Sequence, residues 1–366
     1  MNAQILHPRT DRPAAEPIRP FPDLSPVESR PAPCAADLTV IVPAYNEAAS
    51  VGDTVRSLLA QALPVAEIVV VDDCSTDGTG EVARASGATV LRPPANTGSK
   101  AGAQTFVLAH VGTEFTLAID ADTVLAPDAI ERLLVAMDDP RVAAACGFVL
   151  PRHVSTVWER GRYVEYLFAF GFLKPIQDYY GKPMIASGCF SVYRTADLRR
   201  QGGWSTKTLA EDMDLTWSFY EAGRAVRFVP GAVSYPIEPH DYGFMGKQLR
   251  RWSHGFAQNV RLHGQGVLGV PFLRWFVFVA LWDALVASAA FLFLLPLLAI
   301  LVDPLFLLGY LIDGPAMLVP VLAAAARDRP GADQPPGVLG AAGGQRRPRP
   351  GRLLGRVRPP PAAARR

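Results

Sequence analysis

The sequence predicts an α/β domain with a mostly parallel sheet, followed by C-terminal transmembrane helices. Three features predict it: short aliphatic runs alternate with helix-like stretches, acidic residues follow those runs, and a long uncharged segment comes later. The 366 residues are 49% hydrophobic and 19% charged, whereas a soluble domain carries about 25% charged residues. This composition argues against a wholly water-soluble protein and excludes a chain that is disordered throughout.

The predicted strands are three aliphatic runs at residues 38–42, 67–71 and 115–119. Each run is nearly continuous, which is typical of strands that are buried on both faces of a parallel sheet. Helix-like stretches separate them, so the chain alternates between strand and helix. This alternation predicts the α/β class.

Capping residues predict where the helices between these strands begin. Ser50 or Glu47 begins the first helix, and Asp77 begins the second. Pro127 stands at the first turn of a third helix that runs towards Met137.

A membrane span is predicted at residues 284–302, which are nineteen consecutive uncharged residues. The summed contributions of the apolar side chains in this segment favour its insertion into a membrane by about 5 kcal/mol. A second candidate at 304–326 is weaker, since Asp313 lies in its middle and costs about 2.5–3.5 kcal/mol. One or two crossings are therefore expected within residues 270–326.

Four segments follow from these patterns. We expect a disordered Pro-rich lead at 1–36, a catalytic domain at 37–265, the spans at 270–326, and a low-complexity basic tail at 327–366. The abrupt change at Arg327 also suggests a chain whose original end was lost or shifted in frame, which sequencing of the locus would test.

Basic residues flank the predicted spans on both sides. If the chain crosses the membrane twice, both basic flanks lie in the cytoplasm, as the positive-inside rule prefers. We therefore expect a cytoplasmic catalytic domain on the inner or plasma membrane, with the chain multi-pass or anchored at its C-terminus. Membrane lipid is thus an expected partner. The formal net charge of +2 gives no case for binding nucleic acid.

Acidic residues follow the first two runs, where α/β sheets usually bind ligands. The first run continues into PAYNE (43–47) without the glycine-rich turn of a dinucleotide site. The second ends in Asp72 and Asp73. Adjacent carboxylates need donors, such as ribose hydroxyls or a base N–H, although one of them could simply cap the next helix.

The third run ends in Asp120 and Asp122. Carboxylates two residues apart on an extended segment can turn to one hard cation that bridges diphosphate oxygens. Lys100, just before a helical stretch, could add positive charge near the phosphates or could be a solvated surface lysine.

Two further clusters lie on predicted helices. Glu211 and Asp212 begin a helix that Gly223 would end, where acidic residues are also ordinary partners of the helix dipole. Gln248, Arg251 and Trp252 lie three and four residues apart. This spacing puts an amide, a cation and a flat ring on one helix face, able to line a channel for a sugar and a diphosphate.

The ordered set PAYNE, DD, DAD, AED and QLRRW resembles glycosyltransferase family 2 over residues 38–252. It is similar to the processive membrane enzymes of the cellulose, chitin, hyaluronan and poly-N-acetylglucosamine synthase group. The resemblance implies a GT-A fold, with a Rossmann-like mixed sheet. It also implies a UDP-sugar donor, a saccharide or lipid-linked acceptor, and Mg²⁺ or Mn²⁺ as cofactor.

The resemblance also implies residue roles. Ala44, Tyr45 and Glu47 would lie along the nucleotide base. Asp72 or Asp73 would hold uracil and ribose.

Four residues have implied roles nearer the diphosphate. Asp120 and Glu211 would contact the nucleotide sugar, and Asp122 would bind the metal. Asp212 would be the general base.

The remaining implied roles concern the far side of the site. Gln248, Arg251 and Trp252 would secure the pyrophosphate and the acceptor end. Residues Ser187 to Phe190, called the SGCF loop below, resemble the family's acceptor-side loop.

The sequence departs from the family at Ala210, which replaces Thr or Gly. The family's N-terminal transmembrane helices are missing too, which puts a complete polymer-secreting channel in doubt.

The expected activity is inverting transfer that forms a β-linked polysaccharide or oligosaccharide at the cytoplasmic face of the membrane. Two alternatives stay open at this point. One is a catalytically silent membrane assembly subunit, and the other is transfer to a polyprenyl phosphate.

Overall fold

The computed structural model describes residues 37–309 and residue 322. The predicted lead at 1–36 and the predicted basic tail at 327–366 lie outside the described residues. So does most of the second candidate span, of which residues 304–309 form a 3₁₀ helix.

Within the described residues, eight strands form one mixed sheet in the order β3-β2-β1-β4-β7-β6-β8-β5. The strands are β1 (Leu38–Ala44), β2 (Glu67–Asp72), β3 (Thr89–Leu91), β4 (Phe115–Ile119), β5 (Val124–Leu125), β6 (Val142–Val149), β7 (Phe190–Arg194) and β8 (Ala225–Tyr235). The three predicted strands are confirmed as β1, β2 and β4.

The direction of the strands decides which loops meet. Strand β1 is parallel to β2 and β4, whereas β7 is antiparallel to both β4 and β6. Because β7 runs the opposite way, its first residues lie at the same edge as the carboxyl ends of β1, β2 and β4. The SGCF loop, which leads into β7, is thereby brought to the acidic strand ends.

Helices cover both faces of the sheet and continue beyond it. They are α1 (Val51–Leu59), α2 (Thr79–Ala85), α3 (Lys100–Leu108), α4 (Ala129–Ala136), α5 (Val157–Phe168), α6 (Lys174–Tyr179), α7 (Thr195–Arg200), α8 (Glu211–Glu221), α9 (Tyr242–Leu262), α10 (Gly264–Gly269), α11 (Pro271–Trp282) and α12 (Leu295–Leu301). A π-helical turn at Ala169–Leu173 joins α5 to α6.

The core divides along the sheet. In β1, Val40 and Val42 join the cluster that packs beneath α1 and α4, while Ile41 joins the cluster on the opposite face. Successive side chains of a strand point to opposite faces, so an unbroken aliphatic run serves both clusters. This is why the strands lacked an apolar-polar alternation.

The structure confirms one of the predicted helix starts and differs from the others. Ser50 occupies the N-cap of α1, as one of the two alternatives had it. The start predicted at Asp77 is one residue early, because Gly78 is the N-cap of α2, although Asp77 accepts hydrogen bonds from the N–H and hydroxyl of Thr79 at 3.0 and 2.5 Å. The placement of Pro127 in the first helical turn is wrong, because Asp128 is the N-cap of α4 and the proline precedes it.

One helical run, Pro271–Leu301, is long and apolar enough to cross a membrane, and it is the only such run in the described part of the chain. It has 31 residues and begins at Pro271, well before the predicted segment 284–302. The run is longer than the roughly 20 residues that a bilayer needs. Expectations of a multi-pass topology find no support in the described residues.

Candidate active site

The PAYNE segment at the end of β1 is fastened to the loop that follows β2. The backbone N–H of Asn46 donates to Ser75 Oγ at 3.0 Å, and that of Glu47 donates to Thr79 Oγ1 at 2.8 Å. Asn46 has a φ of 56°, a left-handed conformation that Asn tolerates better than most residues. Ala44 is buried, whereas the Tyr45 side chain is exposed beside it.

Asp72 and Asp73 are both buried at the end of β2, and each accepts protein hydrogen bonds. Asp72 accepts from the backbone N–H of Ser75 at 2.9 Å and from Arg92 at 2.8 Å. Asp73 accepts from the N–H and the hydroxyl of Thr97 at 2.8 and 2.9 Å. These donors offset the cost of burying two neighbouring carboxylates, and they shape the loops above β2 and β3. Contact with base and ribose stays a prediction.

Three carboxylates approach one another where β1 and β4 end. Burial first, and then the negative charges of Asp120 and Glu47, raise the pKa of Asp122 to about 7. The pKa of Glu47 is raised as well, first by burial and then by the charge of Asp120, against a hydrogen bond from Ser50. Because these carboxylates repel one another, a cation bound between them would be stabilised.

Lys100, the first residue of α3, supplies the positive charge at this edge. Its ammonium forms an ion pair with Asp120, lies 3.8 Å from Glu211 Oε1, and donates to the carbonyl of Gly188 at 2.9 Å. Burial lowers the pKa of Lys100, but the surrounding carboxylates outweigh it and raise the pKa above its ordinary value. The lysine is therefore a charged member of the cluster, and the alternative of a solvated surface lysine is wrong.

Asp212 lies at the start of α8, opposite the SGCF loop. The backbone N–H of Gly188 donates to Asp212 Oδ2 at 2.9 Å, and the N–H of Met213 donates to Oδ1 at 2.9 Å. The backbone N–H of Asp120 donates to the carbonyl of Cys189 at 3.3 Å. The loop thus connects the end of β4 to the predicted base.

The QLRRW segment lies on α9, where two of its three predicted residues meet a buried arginine. Arg162 of α5 is fully buried, donates to Gln248 Oε1, and stands 4.5 Å from the centroid of the Trp252 ring. Arg251 is exposed. Gln248 and Trp252 are therefore held by Arg162, whereas the Arg251 guanidinium is exposed to solvent.

Helix α9 is fixed to the segment just before Asp212. Asn259 donates to the carbonyl of Ala210 at 3.0 Å, and the N–H of Leu209 donates to Gln258 Oε1 at 2.9 Å. Gly255 allows this approach, since an added Cβ would lie 2.6 Å from that of Ala210. The AED and QLRRW segments, remote in sequence, thus belong to one unit.

Sequence reasoning missed Arg162 and the contact role of Gly188. Arg162 lies in a stretch of mixed charges and aromatic side chains, WERGRYVEY, which has no pattern that marks one arginine as buried. Gly188 is one of 31 glycines in the sequence. Only the fold reveals that these two residues touch predicted site residues.

The acidic residues could hold a divalent cation only if a bound diphosphate supplied some of the metal ligands. Within residues 37–309, no three His, Cys, Asp or Glu side chains are grouped closely enough to hold a metal ion. Asp122, with its raised pKa and two acidic neighbours, offers the oxygen donors that Mg²⁺ and Mn²⁺ prefer. A cation here would take its other ligands from a diphosphate, as Mg²⁺ commonly does.

Comparison with known proteins supports the sequence resemblance. The family model for glycosyl transferase family 2 matches residues 39–202. A poly-β-1,6-N-acetyl-D-glucosamine synthase of Staphylococcus epidermidis is 26% identical over 223 residues, which are 60% of this chain and 54% of that protein. The corresponding synthase of Staphylococcus aureus is 25% identical over 222 residues, with the same coverage. This chain thus spans about half the length of these curated relatives.

A solved structure with a similar fold is a mannosyltransferase from Pyrobaculum calidifontis, determined in complex with GDP-Man and Mn²⁺. Its TM-score is 0.53 at 25% identity, and the likeness covers 82% of this chain and 90% of that one. The mixed sheet and this likeness confirm the implied GT-A fold.

Proposed function

Residues 39–202 belong to glycosyl transferase family 2, and from that premise we propose that this protein is a metal-dependent, inverting hexosyltransferase. It takes a sugar from a UDP-sugar and adds it to a saccharide acceptor, forming a β-linked polysaccharide or oligosaccharide. One observation carries the proposal. Acidic residues from three separate segments, at Glu47, at Asp120 and Asp122, and at Glu211 and Asp212, converge on Lys100 and on Asp122 at a single edge of the sheet.

The donor end of the site is assigned to the loops above β1 and β2. Tyr45 presents an exposed ring on which a base can stack, and Asp72 and Asp73 organise the loops around it. UDP-N-acetylglucosamine is the first donor to test, because the staphylococcal relatives are named for a polymer of that sugar. GDP-mannose is the second, because the similar structure was solved with it.

Asp122 would hold Mg²⁺ or Mn²⁺, with Asp120 and Glu47 close by. When bound, the cation neutralises charge that develops on the leaving diphosphate. Lys100 contributes positive charge at the same edge, and Arg251 presents an exposed guanidinium on α9. Fixed charges of this kind stabilise the leaving group without reorganisation during the reaction.

Asp212 would take the proton of the attacking acceptor hydroxyl. The bonds from Gly188 and Met213 fix its two oxygens in orientation, which a base requires. A single displacement, with the acceptor opposite the leaving diphosphate, inverts the anomeric centre. An α-linked donor then gives a β-linked product.

Residues Pro271–Leu301 would anchor the catalytic domain at the cytoplasmic face of the inner or plasma membrane. Gln248 and Trp252, held by Arg162, would line the path of the acceptor. Cytoplasmic orientation follows from the basic residues before the span, in accordance with the positive-inside rule.

The test is incubation of membranes that contain the full chain with radiolabelled UDP-sugars and GDP-mannose, followed by sizing of products. We expect label in a saccharide product from one UDP-sugar, and none from membranes without the protein. Label that extracts wholly with lipid would instead favour transfer to a polyprenyl phosphate. Absence of both transfer and donor hydrolysis would favour the silent assembly subunit.

A further inference from the structure

Lys174, at the start of α6, is a buried lysine that the proposed reaction does not use. The residue is 9% exposed, and its ammonium lies 4.6 Å from the centroid of Phe170 and 5.6 Å from that of Phe228. Among the described residues, no carboxylate lies within ion-pair distance of this ammonium. A buried cation without an acidic partner carries a desolvation cost that two aromatic rings offset only in part.

The strongest polar contact of Lys174 is with the SGCF loop. Its ammonium donates to Ser187 Oγ at 2.6 Å and lies 3.5 Å from Cys146 Sγ. The carbonyl of Ser187 accepts from the hydroxyl of Ser191 at 2.7 Å. The hydroxyl and the carbonyl of Ser187 are thus both bonded to the protein, and the charge-assisted bond of the hydroxyl is the shorter one.

The next residue of the loop touches the site. Gly188 donates its N–H to Asp212 Oδ2 and accepts from Lys100 through its carbonyl, each at 2.9 Å. A chain of contacts therefore runs from Lys174 through Ser187 and Gly188 to the carboxylate of Asp212. No step in it depends on a bound ligand.

We propose that Lys174 is a positioning residue that holds the SGCF loop through Ser187 and so keeps the N–H of Gly188 on Asp212. The role of Asp212 as the base rests on the proposed function, whereas the loop contact does not. Loss of the ammonium frees the hydroxyl of Ser187 and loosens the loop, and the Gly188 amide then exchanges with solvent more readily. Turnover falls because Asp212 loses a fixed orientation, while donor binding at the ends of β1 and β2 is retained.

The experiment uses the full chain in detergent and measures hydrogen–deuterium exchange of the Gly188 amide in K174M, S187A and the double variant. We expect exchange to accelerate about tenfold in each single variant, since a bond to a charged group is among the stronger ones. We expect the double variant to be no faster than either single one, because both remove the same contact. K174R, which keeps a cationic donor, should restore most of the protection.

The matched control is K182M, since the Lys182 ammonium also lies over an aromatic ring, 4.3 Å from the centroid of Tyr220. It should leave Gly188 exchange unchanged.

In turnover assays, K174M should lower kcat about tenfold or more, with KM for the nucleotide sugar within about twofold. Wild-type exchange in K174M, or additive acceleration in the double variant, would overturn the proposal. If wild-type protein transfers no sugar, the proposed function fails, and the exchange data still decide the role of Lys174. If K174M does not fold, S187A and K174R decide the outcome.

Discussion

Gly188 donates its N–H to Asp212 Oδ2 at 2.9 Å, and an added Cβ at Gly188 would lie 3.1 Å from that same oxygen. The Cβ would also lie 3.2 Å from Lys100 Nζ. A side chain at this position would therefore fit only if the ends of the Asp212 and Lys100 side chains shifted away from the loop backbone. This contact ties the SGCF loop to the proposed catalytic chemistry.

Gly188→Ala should lower kcat about tenfold or more, because the methyl group displaces Asp212 and Lys100 from their present contact. Thermal stability should change little, since both neighbours are side-chain ends that can shift. Gly112→Ala is the matched control, because its added Cβ meets no atom within 4 Å. Steady-state kinetics on both variants checks this prediction, and wild-type kcat in G188A would contradict it.

Arg162→Met should destabilise the folded protein by about 3–5 kcal/mol, the usual result of breaking a buried charge contact. The Arg162 guanidinium is 3.6 Å from Glu238 Oε2, and both side chains are almost completely buried. Removing the arginine leaves the buried Glu238 without its cationic neighbour, although the 2.7 Å bond from the Tyr166 hydroxyl remains, and it releases Gln248 and Trp252 from Arg162. Chemical unfolding in detergent measures the loss.

Arg160→Met provides the control for that change, since Arg160 lies on the same helix and is exposed. It should alter the free energy of unfolding by less than about 0.5 kcal/mol. Equal effects of the two substitutions would show that Arg162 has no special structural role.

His263 should make stability depend on pH. Burial lowers its pKa, but hydrogen bonds to Asp214 at 2.6 Å and Glu221 at 2.8 Å outweigh burial and raise the pKa above its ordinary value of 6.5. A raised pKa in the folded state means that the stabilisation is fully present below pH 6.5 and is lost as pH rises through the folded pKa. The contact joins α9 to α8, the helix that begins at Glu211 and Asp212.

The melting temperature of the wild-type protein should therefore fall as pH rises above 6.5, and His263→Gln should reduce that dependence. His254→Gln is the control, because His254 is exposed on α9. Identical pH profiles for wild type and H263Q would contradict the assignment.

Chelation should stop transfer, and Mg²⁺ or Mn²⁺ should restore it. Asp122→Asn should raise the metal concentration needed for half-maximal activity about tenfold or more, because an amide is a weaker oxygen ligand for these ions. Asp128→Asn is a suitable control, since that carboxylate pairs with Arg132 on the exposed surface of α4. Full activity of the wild-type protein in excess EDTA would contradict the metal role.

The strands and the acidic strand ends were predictable because both depend on local patterns. Runs such as residues 67–71 must be buried on two faces, and Asp72, Asp73 and Asp120 follow such runs directly. In a sheet whose strands β1, β2 and β4 are parallel, these residues necessarily come to one edge. The convergence of these acidic residues on one edge of the sheet could therefore be predicted from the sequence.

The partners of the buried cations were not predictable in this way. Arg162 contacts Gln248, and Lys174 contacts Ser187, only because tertiary packing brings them together. No characteristic spacing in the sequence marks either pair. The start of the apolar helix at Pro271 was also missed, because Asp283 and Arg274 interrupt the uncharged run without interrupting the helix. Helix continuity depends on backbone bonding rather than on charge.

The central claim is that Asp212 is the base of a nucleotide-sugar site, and Asp212→Asn tests it most directly. The amide keeps the shape of the side chain but cannot accept the proton, so transfer from the labelled donor should fall about 10²- to 10⁴-fold. Donor affinity, measured by titration calorimetry, should stay within about threefold of wild type. Transfer at a near wild-type rate in D212N would contradict the account.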